Sequence, residues 1–529
     1  MNQSIVWFEE QEKERTGKAP LYFEDMNLDQ VISYITKHYA QYHLEDFYYD
    51  LPQKTTCIQR QQVIKDMMNP RIYQQLKDFI ADEMVLEERG TLETECKYRY
   101  QSMKLALDNC ALFYRMFRGL LQCFEKEEPQ SEGLKKLYES IQSEVFTEEG
   151  IRLEALVKEI EDGFENITFS ACYDMEKISS RSLIVKERKT SVRIVTDKEE
   201  ITSEDIEYEN YQDKIAKYLF LQNLNAQKEN HPFCDSKDIN DFERNVLRIL
   251  RKMKPTFFEK MEKLCAKPLN YDPNGIKEMV RECAFYVSYV EFVNSMNRFG
   301  YKFSLPEITN EEFSMINGYD LALALKMMEN GGKIVPNCCD YQGKERFFIV
   351  TGPNQGGKTT FARMLGQQVY FAQMGLFVPA VSAKIPSFHA IHSHFAREEA
   401  EEVGAGKLKE ELLRLAPILE DIKKEEGKRI YVVINELFTT AATYDAVVMG
   451  HKVIDYLCDS NCFGVYVTHV RELAEGKEET VSLTAEVSDD TMRSRTYKIT
   501  RNEAAVGQAQ SIAYKYGLTY EQMQRRVPQ

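Results

Sequence analysis

Apolar residues in the first half of the chain recur at helical spacing. Leu134, Leu137, Ile141 and Val145 are followed by Ile151, Leu153, Leu156 and Ile160, which predicts one long helix over 131–160 or two helices broken near Gly150. Val246, Ile249, Leu250, Met253, Phe257 and Met261 predict another over 242–264, kinked or split at Pro255, whose ring cannot continue a hydrogen-bonded helix. Phe285, Tyr289, Phe292 and Met296 predict a third over 275–297. Between these helices the period falls to two. ITFSACYDM and SRSLIVKERKTSVRIV alternate apolar with polar residues and are rich in β-branched types, so a small antiparallel sheet or hairpin is expected over about 165–197. An acidic, solvated connection, TDKEEITSEDIEYEN, follows. From about residue 318 the texture is α/β, with strands expected at Arg346–Val350, Ile430–Ile434, Gly464–Thr468 and Thr496–Ile499 between helical segments. That alternation implies a largely parallel sheet. The domain boundary is expected near 305–313, separating residues 1–310 from 311–529.

The expected strand at 346–350 runs into TGPNQGGKTT, residues 351–360, which has the spacing of a P-loop. Gly352, Gly356 and Gly357 let the backbone curl so that successive N–H groups face phosphate oxygens. The helix expected after Thr360 adds the positive end of its dipole. In that geometry Lys358 reaches the β- and γ-phosphates and the Thr359 hydroxyl ligates Mg²⁺. The competing reading is a glycine-rich turn with no ligand. Downstream, the apolar run Tyr431–Ile434 closes on Asn435 and Glu436, where P-loop ATPases carry the acidic group that holds the Mg²⁺ shell or polarises the attacking water. Glu436 is the candidate water-orienting base, against a plain surface Glu opening a turn. Asn435 stands where Asp is common; an amide oxygen can hold a metal-bound water but adds no charge, so weak metal affinity and slow turnover are expected. His469 ends another strand and is a candidate donor to the γ-phosphate, or a local cap.

Composition narrows the setting. Hydrophobic residues make up 43% and charged residues 29% of 529, as in a folded, partly helical protein with room for several domains. No run of about eighteen apolar residues occurs, so no membrane span is expected. The N-terminus lacks a basic-then-apolar leader, and the twelve cysteines are scattered without zinc spacing, so a reducing, cytoplasmic setting is expected. A net charge of −16 argues against a general polyanion binder but not against DNA held on a local basic face. Arg181, Lys186, Arg188, Lys189 and Arg193 form one such candidate face, and Arg244, Arg248, Arg251 and Lys252 another; each reads equally as a solvated surface.

These motifs together resemble the ATPase domain of the MutS family of DNA mismatch-repair proteins. The family's T-G-P-N-x-G-G-K-[ST] matches Thr351–Thr359, which makes Pro353, Asn354, Gln355 and Thr360 candidate nucleotide contacts beside Gly352, Gly356, Gly357, Lys358 and Thr359. IVPN resembles the family's Pro-Asn step and adds Asn337. Val378-Pro379-Ala380 resembles its post-helix turn, NELFTTAATYDA its Asp-Glu strand end with a dimer-facing loop at Tyr444 and Asp445, and YVTHVREL its Thr-His segment. Residues 28–35, 60–67 and 289–308 resemble less sharply the family's helical lever and core. The resemblance implies a C-terminal α/β P-loop NTPase, the ABC-like MutS ATPase domain, after a mainly α-helical lever and core with a small β insertion. It departs from the pattern in three ways. No room is seen before residue 26 for mismatch-reading and connector domains; the Ser-Thr signature aligns with Gly404-Ala405-Gly406-Lys407; and Phe438-Thr439-Thr440 replaces a glycine-rich loop. A short bacterial form is therefore expected.

The resemblance further implies ATP and Mg²⁺ as cofactors, a homodimer whose composite site closes on ATP, a helical clamp on duplex or branched DNA, and repair-pathway partners. Glu436, Lys358 and His469 would be catalytic, and Thr359, Asn435 and Glu436 would face the metal. The expected function is an ATPase in DNA repair or recombination control without intrinsic mismatch reading. The alternative is a nucleotide-gated protein-binding switch with little hydrolysis and no DNA contact, which Asn435, the lost signature hydroxyls and the acidic balance favour. An ABC- or SMC-type ATPase would need a Ser-Gly-Gly signature and either a membrane partner or a long coiled coil.

Overall fold

The computed structural model describes residues 4–9, 17–95, 99–165, 167–171, 175–179, 182–185, 192–196, 200–203, 251, 255–266, 273–396, 406–439, 441–474, 477–487 and 495–501. Two compact units emerge. One contains residues 74–128 and 137–280; the other contains 2–73, 129–136 and 281–529. The second unit therefore gathers residues from both sides of the 310/311 division expected from sequence. The physical reason lies in how its central helix is covered, described below. Among the described residues no helix is long and apolar enough to cross a membrane.

Helices α1 (Tyr22–Asp25), α2 (Leu28–Thr36), α3 (Asp46–Tyr49), α4 (Lys54–Met67), α5 (Pro70–Glu95), α6 (Arg99–Glu127), α7 (Glu132–Glu144) and α8 (Glu148–Glu165) come first. The stripe over 131–160 is thus two helices, the second of the two expected arrangements, and the break falls at 145–147, just before Gly150. Thr147 causes it: its hydroxyl accepts the Gly150 N–H at 3.1 Å and its carbonyl the Ile151 N–H at 2.9 Å, an N-cap that starts α8 afresh. Strands β1 (Ile167–Ala171), β4 (Val192–Thr196) and β5 (Glu200–Ser203) form an antiparallel sheet in the order β1-β4-β5, and β2 (Met175–Ser179) pairs with β3 (Ser182–Val185) as a hairpin. This is the β insertion that alternation predicted. Helix α9 (Pro255–Ala266) opens on Pro255, where a missing N–H costs nothing; the expected residues 242–250 lie outside the described ones. In this unit Phe79 packs edge-on against Phe117 at 5.2 Å, Tyr100 against Phe258 at 5.5 Å, and Arg118 pairs with both carboxylate oxygens of Glu154. Helix α10 (Pro273–Arg298) matches the third predicted helix.

In the second unit, β6 (Glu307–Thr309), β7 (Ser314–Gly318), β8 (Asn337–Asp340) and β10 (Ser382–Pro386) make a sheet in the order β6-β10-β7-β8, with α11 (Leu321–Asn330) between β7 and β8. The main sheet has the order β11-β12-β13-β9-β14-β15: β9 (Phe347–Thr351), β11 (Ala390–Phe395), β12 (Ile430–Asn435), β13 (Cys462–Val467) and β14 (Thr480–Val487) run parallel, and β15 (Arg495–Thr500) is antiparallel. Every residue of β9, β12 and β13 is buried, as unbroken apolar runs require when both faces are covered. On one face Phe347, Ile349, Ile430, Val432 and Ile434 pack with Leu415 and Ile422 of α13 (Lys407–Lys424) and Val453, Ile454 and Leu457 of α14 (Thr443–Asp459). The alternate residues Phe348 and Val433 meet α12 (Lys358–Gln373) through Phe361 and Gly366.

Helix α12 is buried almost all round, from Phe361 to Gln373. A helix clothed on every side needs partners beyond one sheet face, and residues 22–60 and 289 supply them. Arg363 donates to the Asp25 carbonyl at 2.9 Å, Gln367 to the Met26 carbonyl at 2.8 Å, Tyr370 to the Tyr48 carbonyl at 2.6 Å, and Arg60 to the Met374 carbonyl at 3.3 Å. The Tyr289 ring lies 5.7 Å from that of Phe371. Hence the N-terminal helices belong to the same compact unit as the main sheet.

Candidate functional site

In-register pairing brings strand ends together. Asn435 of β12 lies opposite Val467 of β13, which lies opposite Val350 of β9. The Glu436 N–H then donates to the Val467 carbonyl at 2.9 Å, and the Thr468 N–H to the Val350 carbonyl at 3.0 Å. The residues that end or follow these strands, at 352–359, 435–436 and 468–469, are therefore neighbours although far apart in sequence, at the strand ends where open α/β sheets bind ligands.

The loop after β9 is held by close approach. Gly352 sits at φ +126°, and a Cβ there would lie 3.0 Å from both Cβ and N of Ala485 in β14; at Gly356 it would lie 2.9 Å from the same Cβ. Glycine is required at both positions because the loop lies flat on β14. Lys358 opens α12, and its ammonium donates back to the carbonyls of Gly352 at 2.9 Å and Pro353 at 3.1 Å. Burial lowers its pKa, a shift the charge of Glu436 opposes. Such an ammonium is under-solvated and gains from an anion beside it. The Thr359 hydroxyl donates to Oδ1 of Asn435 at 3.0 Å.

Glu436 takes φ +58°, a left-handed conformation uncommon for a non-glycine residue. His469 Nε2 lies 3.0 Å from its Oε1. That hydrogen bond is the largest cause holding the Glu436 carboxyl below its ordinary range; burial opposes it, and the charges of His469 and Lys358 add to it. The group is an ionised acceptor aimed over the loop. His469 is thus partnered to Glu436 in this structure.

A cavity of about 410 Å³ opens beside the loop, its lining including Asn354, Gln355, Gly357, Lys358, Thr359, Thr360 and Glu436 together with Asp320, Leu323, Ile334, Val335, Asn337 and Tyr497. Gly352, Pro353 and Gly356 are not among the lining residues. Asn337 is committed to the wall: its Oδ1 accepts the Ile499 N–H at 2.9 Å and its Nδ2 donates to the Tyr497 carbonyl at 3.2 Å. It positions Tyr497, itself at φ +59°, whose ring carbon lies 3.6 Å from where a Gly357 Cβ would stand. Tyr497, Ala485 and Ile334 were not singled out from sequence. The alternating TVSLTAEV of β14, with its small Ala485 among larger residues, was the available signal.

Tyr444 and Asp445, expected in a loop, occupy the first turn of α14, where an acidic residue complements the helix dipole; Tyr444 is 78% exposed. Of the Gly404–Lys407 segment, Gly404 and Ala405 lie outside the described residues, as do Thr440, Arg181, Lys186, Arg188, Lys189, Arg244, Arg248 and Lys252; for Arg193 only the backbone is described. Arg251 is bonded to the Tyr100 hydroxyl and lies 3.5 Å from Glu262. Its charge is engaged inside its own unit.

The chemistry of these donors can be tested against Mg²⁺ and a triphosphate. A hydroxyl, an amide oxygen and one ionised carboxylate are hard oxygen ligands that suit Mg²⁺ when phosphates and water complete the shell. The glycine cradle, filled by any Cβ, suits a backbone-bound anion. The residues present fit both.

Residues 348–525 match the family model MutS domain V. The chain is similar to the DNA mismatch repair protein MutS of Fervidobacterium nodosum, with 26% identity over 258 residues, which are 48% of this chain and 30% of that protein. It is similar to the MutS proteins of Rickettsia typhi, 30% identical over 33% of this chain and 19% of that one, and of Erythrobacter litoralis, 29% identical over 34% and 20%. The matched stretch spans under a third of the length of these relatives. Over residues 348–525, then, the chain is similar to domain V of the MutS family.

Proposed function

We propose that the chain is a Mg²⁺-dependent ATPase of the MutS type that couples nucleotide state to DNA binding. The observation that carries this reading is the convergence of Lys358, Thr359, Asn435, Glu436 and His469 beside the 410 Å³ cavity. The β- and γ-phosphates would lie along the 352–358 loop, and Lys358 would exchange the carbonyls of Gly352 and Pro353 for phosphate oxygens, a charge-assisted and stronger contact. The base would enter the apolar part of the cavity between Tyr497 and the Ile334–Val335 wall, an aromatic face suited to stacking. Thr359 and Asn435 would hold Mg²⁺, which when bound neutralises charge developing on the phosphates. Glu436, kept ionised, orients the attacking water and takes its proton; His469 holds that carboxylate in place and can donate toward the γ-phosphate.

DNA association is supported by the relatives, each a DNA mismatch repair protein. A composite site between two copies, with the 404–407 segment of one facing the nucleotide of the other, extends this reading. A second reading, a nucleotide-gated switch that scarcely hydrolyses ATP and never meets DNA, is favoured by Asn435, which adds no charge at the metal position.

Steady-state phosphate release from ATP, with and without duplex and branched DNA, tests the reading. Wild-type turnover should require Mg²⁺, rise with DNA, vanish in Lys358→Ala, and fall roughly a hundredfold or more in Glu436→Gln, as loss of a positioned base does. Turnover insensitive to both substitutions would overturn it, and tight ATP binding without turnover or DNA response would support the switch.

A further inference from the structure

The turn after β12 is unusual. Two non-glycine residues separated by one position, Glu436 at φ +58° and Phe438 at φ +63°, occupy the left-handed region. A non-glycine residue persists there only where its surroundings over-determine it. The surroundings are visible. The Glu436 N–H is held by the Val467 carbonyl at 2.9 Å, and the Tyr466 hydroxyl reaches the Leu437 carbonyl at 3.5 Å. The remaining hold comes from a different element. Glu411, in the second turn of α13 and only 8% exposed, accepts the Phe438 N–H on Oε2 at 3.0 Å, and the Thr439 side chain hydrogen-bonds the same carboxylate. Among the described residues no cation is paired with this carboxylate, and burying one without such a partner is costly, so its presence at a strained turn calls for a reason beyond packing.

We propose that Glu411 is a positioning residue for Glu436. By clamping Phe438 from α13 it fixes the 436–438 turn, so the Glu436 carboxylate stays aimed over the loop at Lys358 and Thr359. It also ties the aim of Glu436 to the placement of α13, the helix that begins at Lys407, directly after the segment aligned with the family's signature. The backbone of α13 at Glu411 is itself anchored: the His394 ring donates from Nε2 to the Glu411 carbonyl at 3.3 Å, and Arg414 donates to the Phe395 carbonyl at 2.7 Å, both at the end of β11. The 436–438 turn is thus referenced to two strands and one helix. This rests on the reading of Glu436 as the water-orienting group.

The test uses the full chain and three variants. In Glu411→Ala, kcat should fall roughly ten- to hundredfold, as small misplacements of a reacting group do, while nucleotide affinity is unchanged. Glu411→Gln, whose amide oxygen can still accept from Phe438, should recover most of that loss. Hydrogen exchange supplies a readout that needs no turnover: the Glu436 amide, which bonds Val467 and not Glu411, should exchange roughly tenfold faster in Glu411→Ala and not in Glu411→Gln. Should Glu411→Ala not fold, Glu411→Asp, one methylene too short, takes its place with the same expectations. Unchanged kcat per folded molecule with an unchanged Glu436 amide would overturn the proposal. If wild-type turnover is absent or indifferent to Glu436→Gln, the reading of Glu436 fails, and the exchange result still decides whether Glu411 holds the turn.

Discussion

At the scale of single residues, the charge at the metal position is where sequence and chemistry diverge most. Asn435 accepts the Thr359 hydroxyl at 3.0 Å, so Asn435→Asp would set a carboxylate against that hydroxyl with no rearrangement. Mg²⁺ affinity, read by titrating turnover or by calorimetry with ATP, should rise roughly tenfold, since ligand charge dominates the binding of hard cations. No rise in affinity or hydrolysis would refute the role given to Asn435. A second prediction concerns His394, which is 1% exposed; burial, with Arg414 adding to it, lowers its pKa to about 4 from an ordinary 6.5. The folded state then binds fewer protons than the unfolded one between those values. Stability from this group is complete above pH 6.5 and is lost as pH falls toward 4, by up to about 1.4 kcal/mol per pH unit. Denaturant midpoints should decline across that window, and His394→Gln should flatten the decline. Residues legible in sequence, Lys358, Thr359, Asn435, Glu436 and His469, each belong to a short local pattern. Glu411, Ala485 and Tyr497 do not: each acquires its part only through contacts with residues more than twenty positions away.

At the scale of elements, the loop after β9 depends on the smallness of its neighbour. Ala485 would lie 3.0 Å or less from a Cβ at Gly352 or Gly356. Ala485→Val adds two methyl groups under a backbone that cannot retreat. Overpacking of this kind typically costs about 1–3 kcal/mol. Here it should fall on the loop, so nucleotide affinity should drop by roughly tenfold or more while thermal unfolding shifts by a few degrees at most. A variant that unfolds without any change in affinity would contradict this division. The four strands expected from sequence are β9, β12, β13 and β15, each a dense apolar run or a clear alternation. Strand β11 is not legible from sequence because AIHSHF intersperses two histidines and a serine, although all of its residues are at least half-buried. The helix break near Gly150 is legible from the glycine, while the cap that restarts the helix, the hydroxyl of Thr147, is seen only in the structure.

At the scale of the molecule, residues 20–67 and α10 clothe α12. A fragment starting at residue 311 would bare Leu365, Tyr370 and Phe371, all fully buried in the whole chain. Exposed apolar patches of that kind lead to association. The fragment should aggregate on expression, and a monomeric, cooperatively unfolding 311–529 fragment would show that the N-terminal segments are dispensable. Nucleotide-driven pairing of two chains, if the composite site is right, should appear by sedimentation with Glu436→Gln and ATP·Mg²⁺ and disappear with Lys358→Ala.

Every role proposed for the site depends on the 352–359 loop receiving a nucleoside triphosphate, and equilibrium dialysis of ATP with Mg²⁺ against the full chain measures that most directly. Stoichiometric retention by wild-type protein is expected, weakened roughly tenfold or more in Lys358→Ala by loss of a charge-assisted contact. Absent retention, or equal retention by both proteins, would contradict it.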